Sequence, residues 1–190
     1  MSSSRSLPPL PQKNIDTGMG LERMAACMQD ANTNMDIDIF QPIVAAVANA
    51  AGKKYGEKRE DDVLMRRVAD HARAVTFCIS DGVLPANTHR GYVLKRMLRR
   101  AVLDGRTLGI QDAFMHTLAP IVANVMGGQY PEVRERGSFI TEQMTLEEGK
   151  FRATLDRGLT LIDLAVKNAK DKGSAVVDGA TAFELYDTYG

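Results

Sequence analysis

From Glu132 to Lys172 the chain carries a single apolar stripe. Val133, Ile140, Met144, Phe151, Leu155, Leu159, Ile162 and Val166 fall on one face for about ten helical turns. A run of that length cannot be a strand and needs helical neighbours to cover its face. Gly137, Gly149 and Gly158 predict a bend or break, and Gly173 its end. Glu147-Glu148 interrupts the stripe and reads as a solvent-facing break. The rest of the chain keeps the same period. Helices are predicted over Gly20 to Gln29, Asp36 to Ala51, from Asp61 or Asp62 as a cap to about Ser80, and Ile110 to Met126. Asp36 and Asp38 suit the N-terminus of the second, and Gly52 stops it. Pro120 should kink or split the last of these. Ala175 to Gly179 reads as extended, and Ala180 to Tyr186 as one or two final helical turns. Asn14 to Met19 is an extended lead-in or strand remnant, and residues 1–13, rich in Ser and Pro, read as a disordered arm. Strand signals are nearly absent. The fold class is all-α, a helical bundle behind a short extended N-terminal piece.

Charge is balanced across the 190 residues, with 24 basic and 24 acidic side chains. This excludes a generally basic nucleic-acid coat protein, so any anion site must come from local asymmetry. With no Trp and 6% aromatic residues, base-stacking platforms are not expected. Cys27 and Cys78 sit in helical patterns among apolar neighbours and read as buried free thiols of a reducing compartment. No apolar run approaches a membrane span. MSSSRS is too short and polar for a secretory signal, which makes the cytoplasm the expected location. His71, His89 and His116 have no metal-ligand spacing with each other or the cysteines, so no zinc is expected. Asp70-His71 has no nucleophile beside it and reads as a structural pair.

The local asymmetry lies in Asp81 to Leu103, DGVLPANTHRGYVLKRMLRRAVL. A loop of turn formers leads into a helix ending near Asp104-Gly105. Val93, Leu94, Met97, Leu98, Ala101 and Val102 fall on one half of the helical wheel. Lys95, Arg96, Arg99 and Arg100 fall on the other, with Tyr92 and Leu103 among them. Neighbouring like charges on a helix repel by a few tenths of a kcal/mol each. Either the face is simply solvated or it has an anionic partner. Asn87, just before the helix, has the plain role of a turn or cap. Its amide also offers a donor and an acceptor suited to a base edge. In Asp16 to Arg23 two glycines and an arginine stand at GxGxxR spacing. That fits an ordinary turn before a helix, and it also fits backbone approached by a flat ligand with a guanidinium for phosphate.

DGVLPAN followed by RGYVLKRMLRRA resembles the tRNA-recognition domain of the alanyl-tRNA synthetase family. DTGMGLERM (Asp16 to Met24) resembles the end of that family's class II catalytic domain, and LYDTYG (Leu185 to Gly190) a later landmark of the recognition domain. The three stretches come in the family's order, and the resemblance runs from about Leu10 to Gly190. It implies the motif 3-like C-terminal end of the catalytic domain over residues 14–31 and a recognition bundle over 32–190, truncated at its C-terminus.

The resemblance also implies roles. Arg23, Gly20 and Gly18 take the places of ATP-binding residues of motif 3, and Asp16 that of the aspartate holding the α-ammonium of alanine, beside Gly18. Asn87 and Asp187 correspond to the residues that contact the third base pair of the tRNA-Ala acceptor stem. Guanine in a minor groove is a sensible target for such a carboxylate. Arg90, Lys95, Arg96, Arg99 and Arg100 become phosphate-contact candidates that position without reading sequence. The parent charges tRNA-Ala using ATP with Mg2+. Motifs 1 and 2 precede DTGMG in the family, whereas only residues 1–15 precede it here. The chain alone is therefore expected to be inactive and to hold no cofactor tightly, and no residue is assigned as catalytic. Three readings stay open: a ligase segment, a stand-alone RNA-binding module without catalysis, and a bundle with no RNA role. The last requires that the basic helix make only intramolecular salt bridges.

Overall fold

The computed structural model describes residues 11, 12, 14–171 and 173–189, with backbone alone from 186. The predicted arm thus lies outside the described residues apart from Pro11 and Gln12. Among the described residues there are eight helices and no strand. They are α1 Leu21–Met28, α2 Gln41–Ala51, α3 Arg59–Ser80, α4 His89–Thr107, α5 Met115–Met126, α6 Pro131–Glu135, α7 Gly137–Asp171 and α8 Gly179–Tyr189. The all-α expectation holds. The chain divides into two compact units, Met1–Ile37 and Asp38–Gly190.

In the first unit irregular chain from Asn14 leads into α1, whose first turn is closed by the Met24 amide donating to the Gly20 carbonyl at 3.1 Å. Ile15, Met19, Leu21 and Met28 are exposed. Cys27 is exposed as well, which corrects its assignment as a buried thiol. In this two-turn helix Ala26 is buried, but the large apolar side chains Leu21, Met24 and Met28 are exposed and form no core around the thiol. Cys78, in α3, is half-buried and free, and burial pushes its thiol pKa up.

The second unit is built on α3. Met65, Val68, Ala69, Ala72, Val75 and Ile79 are fully buried along it, and α2, α4, α5 and the start of α7 pack around that face. Asp61 and Asp62 lie inside its first turn, with Lys58 as N-cap. There they complement the helix dipole and tie down the preceding connector. Asp61 pairs with Lys53 at 2.8 Å, and Asp62 Oδ1 accepts from the Gly56 amide at 2.8 Å.

Helix α2 begins at Gln41 rather than Asp36, with Pro42 in its first turn and no acidic residue there. Asp36 and Asp38 instead stabilise turns before it: Thr33 Oγ1 donates to Asp36 at 2.8 Å, and the Ile39 amide donates to Asp38 at 2.8 Å. Short side-chain-to-backbone bonds of this kind compete with helix formation.

Helix α5 begins at Met115 rather than Ile110, and the cause is Glu148. Its carboxylate is fully buried and accepts from the Phe114 and Met115 amides at 3.1 and 3.0 Å. Those are donors a helix start leaves unpaired. Arg152 donates to Glu148 at 3.2 Å and to the Gln111 and Asp112 carbonyls at 2.6 and 2.5 Å, pinning residues 110–114 as a loop. Pro120 does not split α5, which continues unbroken to Met126.

The long predicted helix breaks only at Arg136, between α6 and α7, and runs through Gly149 and Gly158 without interruption. Arg136 donates to the Ser80 carbonyl at 2.5 Å and anchors that break to the end of α3. Only the first half of the stripe is core. Val133, Ile140 and Met144 are fully buried, whereas Ile162 and Val166 are exposed, as are Leu161 and Leu164 beside them. Helix α8 starts from Asp178, which accepts from the amide and hydroxyl of Thr181 at 2.9 and 2.8 Å.

Candidate nucleic-acid interface

The loop into α4 starts where α3 ends. Gly82, at φ 85°, closes α3 with its amide on the Ile79 carbonyl, and the Val83 amide reaches the Cys78 carbonyl. The chain then folds back over the first turn of α4. The Ala86 amide donates to the Gly91 carbonyl at 3.1 Å. A Cβ on Gly91 would lie 2.5 Å from the Leu84 carbonyl oxygen and 2.6 Å from Ala86 Cβ, so only glycine permits this approach. Thr88 is the extended N-cap of α4, and His89 enters the helix at φ 54°. No side-chain bond caps α4. Asn87 is therefore not the cap its position suggests: its Oδ1 accepts from Lys95 Nζ at 2.7 Å.

Helix α4 is oriented by what it buries. Leu94, Leu98, Ala101 and Val102 are at most 2% exposed, the leucines and valine each contributing on the order of 2 kcal/mol. Val93, assigned to the apolar half by the helical wheel, is exposed at its edge. Asp104 is buried and takes a two-point bond from Arg67 of α3, at 2.5 and 2.6 Å, which fixes the rotation of α4. This bond and the charge of the carboxylate raise the pKa of Arg67 against the opposing effect of burial. Gly105 does not end the helix. The ring of Phe114 covers it so closely that a Cβ would lie 2.3 Å from two ring carbons, and α4 runs on to Thr107.

The basic face then meets α7. Glu147, 7% exposed, accepts from Arg99 Nε at 3.0 Å, and Lys95 Nζ stands 3.9 Å from the same oxygen. The Arg99 guanidinium lies over the Phe151 ring, 5.1 Å from its centre. Arg106 pairs with Asp156 further along α7. Glu147-Glu148 is thus no solvent break. Both carboxylates are buried, because each has cations or amides within hydrogen-bond reach to offset its desolvation. A charged pair inside an apolar stripe is the signal for them in the sequence, and sequence reasoning missed it.

These contacts bring Asn87, Lys95, Arg96, Arg99 and Arg100 together along a groove of about 520 Å³ that also includes Tyr92, Leu103 and Phe151. Four cations and no carboxylate line it, with Glu147 behind Lys95 and Arg99, which leaves the groove positive. Arg96 and Arg100 are exposed and have no ion-pair partner among the described residues. Arg90, in the first turn of α4, is exposed and likewise unpaired among them, and it does not line the groove. Asp187 lies in α8, and its side chain is outside the described residues. Of the lining residues, Phe151 has only a place in the core stripe when the sequence is read alone.

The second set of candidate residues belongs to the first unit. Asp16, Gly18, Gly20 and Arg23 are all exposed, before and within the first turn of α1. Among the described residues, a Cβ on Gly18 would meet nothing within 4 Å, and one on Gly20 would meet only the Arg23 side chain. Open backbone beside a guanidinium fits a flat, phosphorylated ligand. The Asp70-His71 pair is present, with Nδ1 3.2 Å from the Asp70 carboxylate. That bond lowers the Asp70 pKa against the effect of burial.

Comparison with known proteins bears on both sets. Residues 1–190 match the family described as "tRNA synthetases class II (A)". The chain is similar to the alanine–tRNA ligases of Geobacillus kaustophilus (strain HTA426) and Bacillus subtilis (strain 168), each 50% identical over 182 residues. That of Pediococcus pentosaceus is 48% identical over the same length. In each case 96% of this chain is aligned, and it spans about a fifth of the relative's length, 20 to 21%. With the family matched along all its residues and half of its aligned positions identical to these ligases, the chain belongs to the class II (A) tRNA synthetases.

Proposed function

We propose that this chain is a segment of an alanine–tRNA ligase, and that the α4–α7 groove docks the acceptor stem of tRNA-Ala. The observation that carries this is the groove itself. Arg96 and Arg100 are exposed and unpaired among the described residues, while Arg99 and Lys95 are held in place from α7. Free guanidiniums beside a groove suit phosphates, which position a stem without reading it. Asn87 at the rim supplies an amide for a base edge, and Asp187 is its proposed companion. Arg90 is a further phosphate contact at the start of the helix. A bundle without an RNA role would have its basic residues paired internally, and three of the five are not so paired among the described residues.

In the domain arrangement that goes with this reading, residues 14–31 end the catalytic domain and 32–190 form the recognition domain. Arg23 would hold ATP phosphate, Gly18 and Gly20 the adenine, and Asp16 the α-ammonium of alanine. Bound ATP with its Mg2+ supplies the activated phosphorus for acyl-adenylate formation. The residues present contribute orientation and charge stabilisation to that step. The expected location is the cytoplasm. Among the described residues no helix is long and apolar enough to cross a membrane.

The test is binding of the chain to a tRNA-Ala acceptor-stem hairpin at two salt concentrations, against a control whose third-pair G·U wobble is replaced by G·C. Salt-sensitive binding that prefers the wobble is expected, and the Asn87→Ala and Asp187→Ala variants should lose preference more than affinity. Binding without preference would reduce the groove to a phosphate contact and favour a non-catalytic RNA-binding module. No binding by a folded sample would overturn the proposal.

A further inference from the structure

The basic face of α4 is not four equivalent cations. Lys95 occupies a place different from the rest, between Asn87 Oδ1 at 2.7 Å and Glu147 Oε1 at 3.9 Å. Its side chain is 20% exposed, against 32% for Arg99. The carboxylate that holds Lys95 from the far side is itself held by Arg99 at 3.0 Å and is almost fully buried. The ammonium is thus attracted from below by a carboxylate beyond hydrogen-bond distance and gives its hydrogen bond to the loop.

The consequence falls on Asn87. An ammonium only donates. The asparagine atom 2.7 Å from it must therefore be the carbonyl oxygen, and the amide orientation, usually ambiguous, is decided by charge. That oxygen already accepts from a charged donor, which sets which way the amide faces. The Nδ2 hydrogens have no partner among the described residues, and Asn87 is exposed. The amide that sequence alone describes as both donor and acceptor is left with its donor free. We propose that Lys95 is a specificity-determining positioning residue: it locks the Asn87 amide so that the side chain presents N–H to the groove and reads an acceptor on a base edge. In a minor groove such acceptors are pyrimidine O2 and purine N3. This rests on the acceptor-stem reading of the groove. Glu147 acts one step further back by holding Lys95, and Arg96 and Arg100 carry the phosphate contacts.

Three variants separate this from a simple loss of charge, each tested with both hairpins. Lys95→Met removes the lock, and the ratio of wobble to G·C affinity should fall roughly fivefold or more, toward one, as expected for loss of an oriented hydrogen bond. Lys95→Arg can still donate to Oδ1 and should keep the ratio. Asn87→Asp keeps an oxygen for Lys95 but has no N–H, so it should lose the ratio as completely as Asn87→Ala. Unchanged preference in Lys95→Met, or preserved preference in Asn87→Asp, would overturn the inference while leaving the acceptor-stem reading intact. A parent chain that binds both hairpins equally would overturn that reading, and the inference with it. The Asn87 side-chain NH2 resonances of the free protein give a readout without RNA. They should shift in Lys95→Met with the backbone spectrum of α4 retained, and identical resonances would mean that no lock exists.

Discussion

Two stretches of this chain look like anion sites in the sequence, and they are built differently. The α4 groove is assembled from residues far apart in the chain: Asn87 in a loop, Arg99 on α4, and Glu147 and Phe151 on α7. Asn87, Lys95 and Arg99 each have a partner there that limits where they can go. The Asp16–Arg23 stretch is local. Its residues are exposed, and among the described residues nothing lies within 4 Å of a Cβ placed on Gly18. A motif supplies chemistry in both, but only the groove has its geometry imposed by neighbours. Preorganisation, rather than the presence of the right residue types, separates the two regions.

That contrast can be tested by substitution. Glu148→Ala should have the largest effect. It leaves the Phe114 and Met115 amides and Arg152 without their buried carboxylate. Unfolding in urea should show a loss of about 3–5 kcal/mol. A loss under about 1 kcal/mol, the scale of an exposed pair, would mean that the loop behind the groove is not pinned as described. Gly105→Val comes next. Its side chain must displace the Phe114 ring, and a cost of about 1–3 kcal/mol is expected from overpacking, read as a lower Tm.

Glu147→Ala should cost only about 1 kcal/mol, because Arg99 is about a third exposed and can rehydrate. Its clearer effect should be on the hairpin preference, through Lys95. The double variant Arg96→Ala/Arg100→Ala should leave stability within about 0.5 kcal/mol. It should also reduce the salt slope of RNA binding by about one for each phosphate that the wild-type guanidiniums neutralise. An unchanged slope would remove these two from the interface. Smallest of all, Arg23→Ala should shift the unfolding midpoint imperceptibly, by less than about 0.5 kcal/mol. A larger loss would erase the distinction between the two regions.

Much of this was legible in the sequence because helical periodicity is a local property. The stripe Val68, Ala72, Val75 and Ile79 of α3 is buried as its spacing requires, and the stop at Gly52 follows from its left-handed φ of 61°. The errors share one cause. Asp36 and Asp38 look like helix-start residues, but they found partners in turns. The start of α5 was displaced to Met115 by a carboxylate 33 residues further on. Glu147 and Glu148 read as solvated because their cations and amides lie mostly on other elements. Ile162 and Val166 continue the stripe and yet are exposed, since periodicity says which residues share a face and not whether anything covers it.

The sequence by itself determined that the chain is helical, where most helices end, and that one helix concentrates positive charge beside an asparagine. These follow from backbone propensity, glycine geometry and side-chain spacing, all of which act within a few residues. Only the tertiary structure decided which cations are free and which are spent on buried carboxylates, and which end of the Asn87 amide is available. Those outcomes depend on charges brought within about 3 to 4 Å across separations of up to tens of residues, and at such distances Coulomb attraction and desolvation, rather than local propensity, set the result.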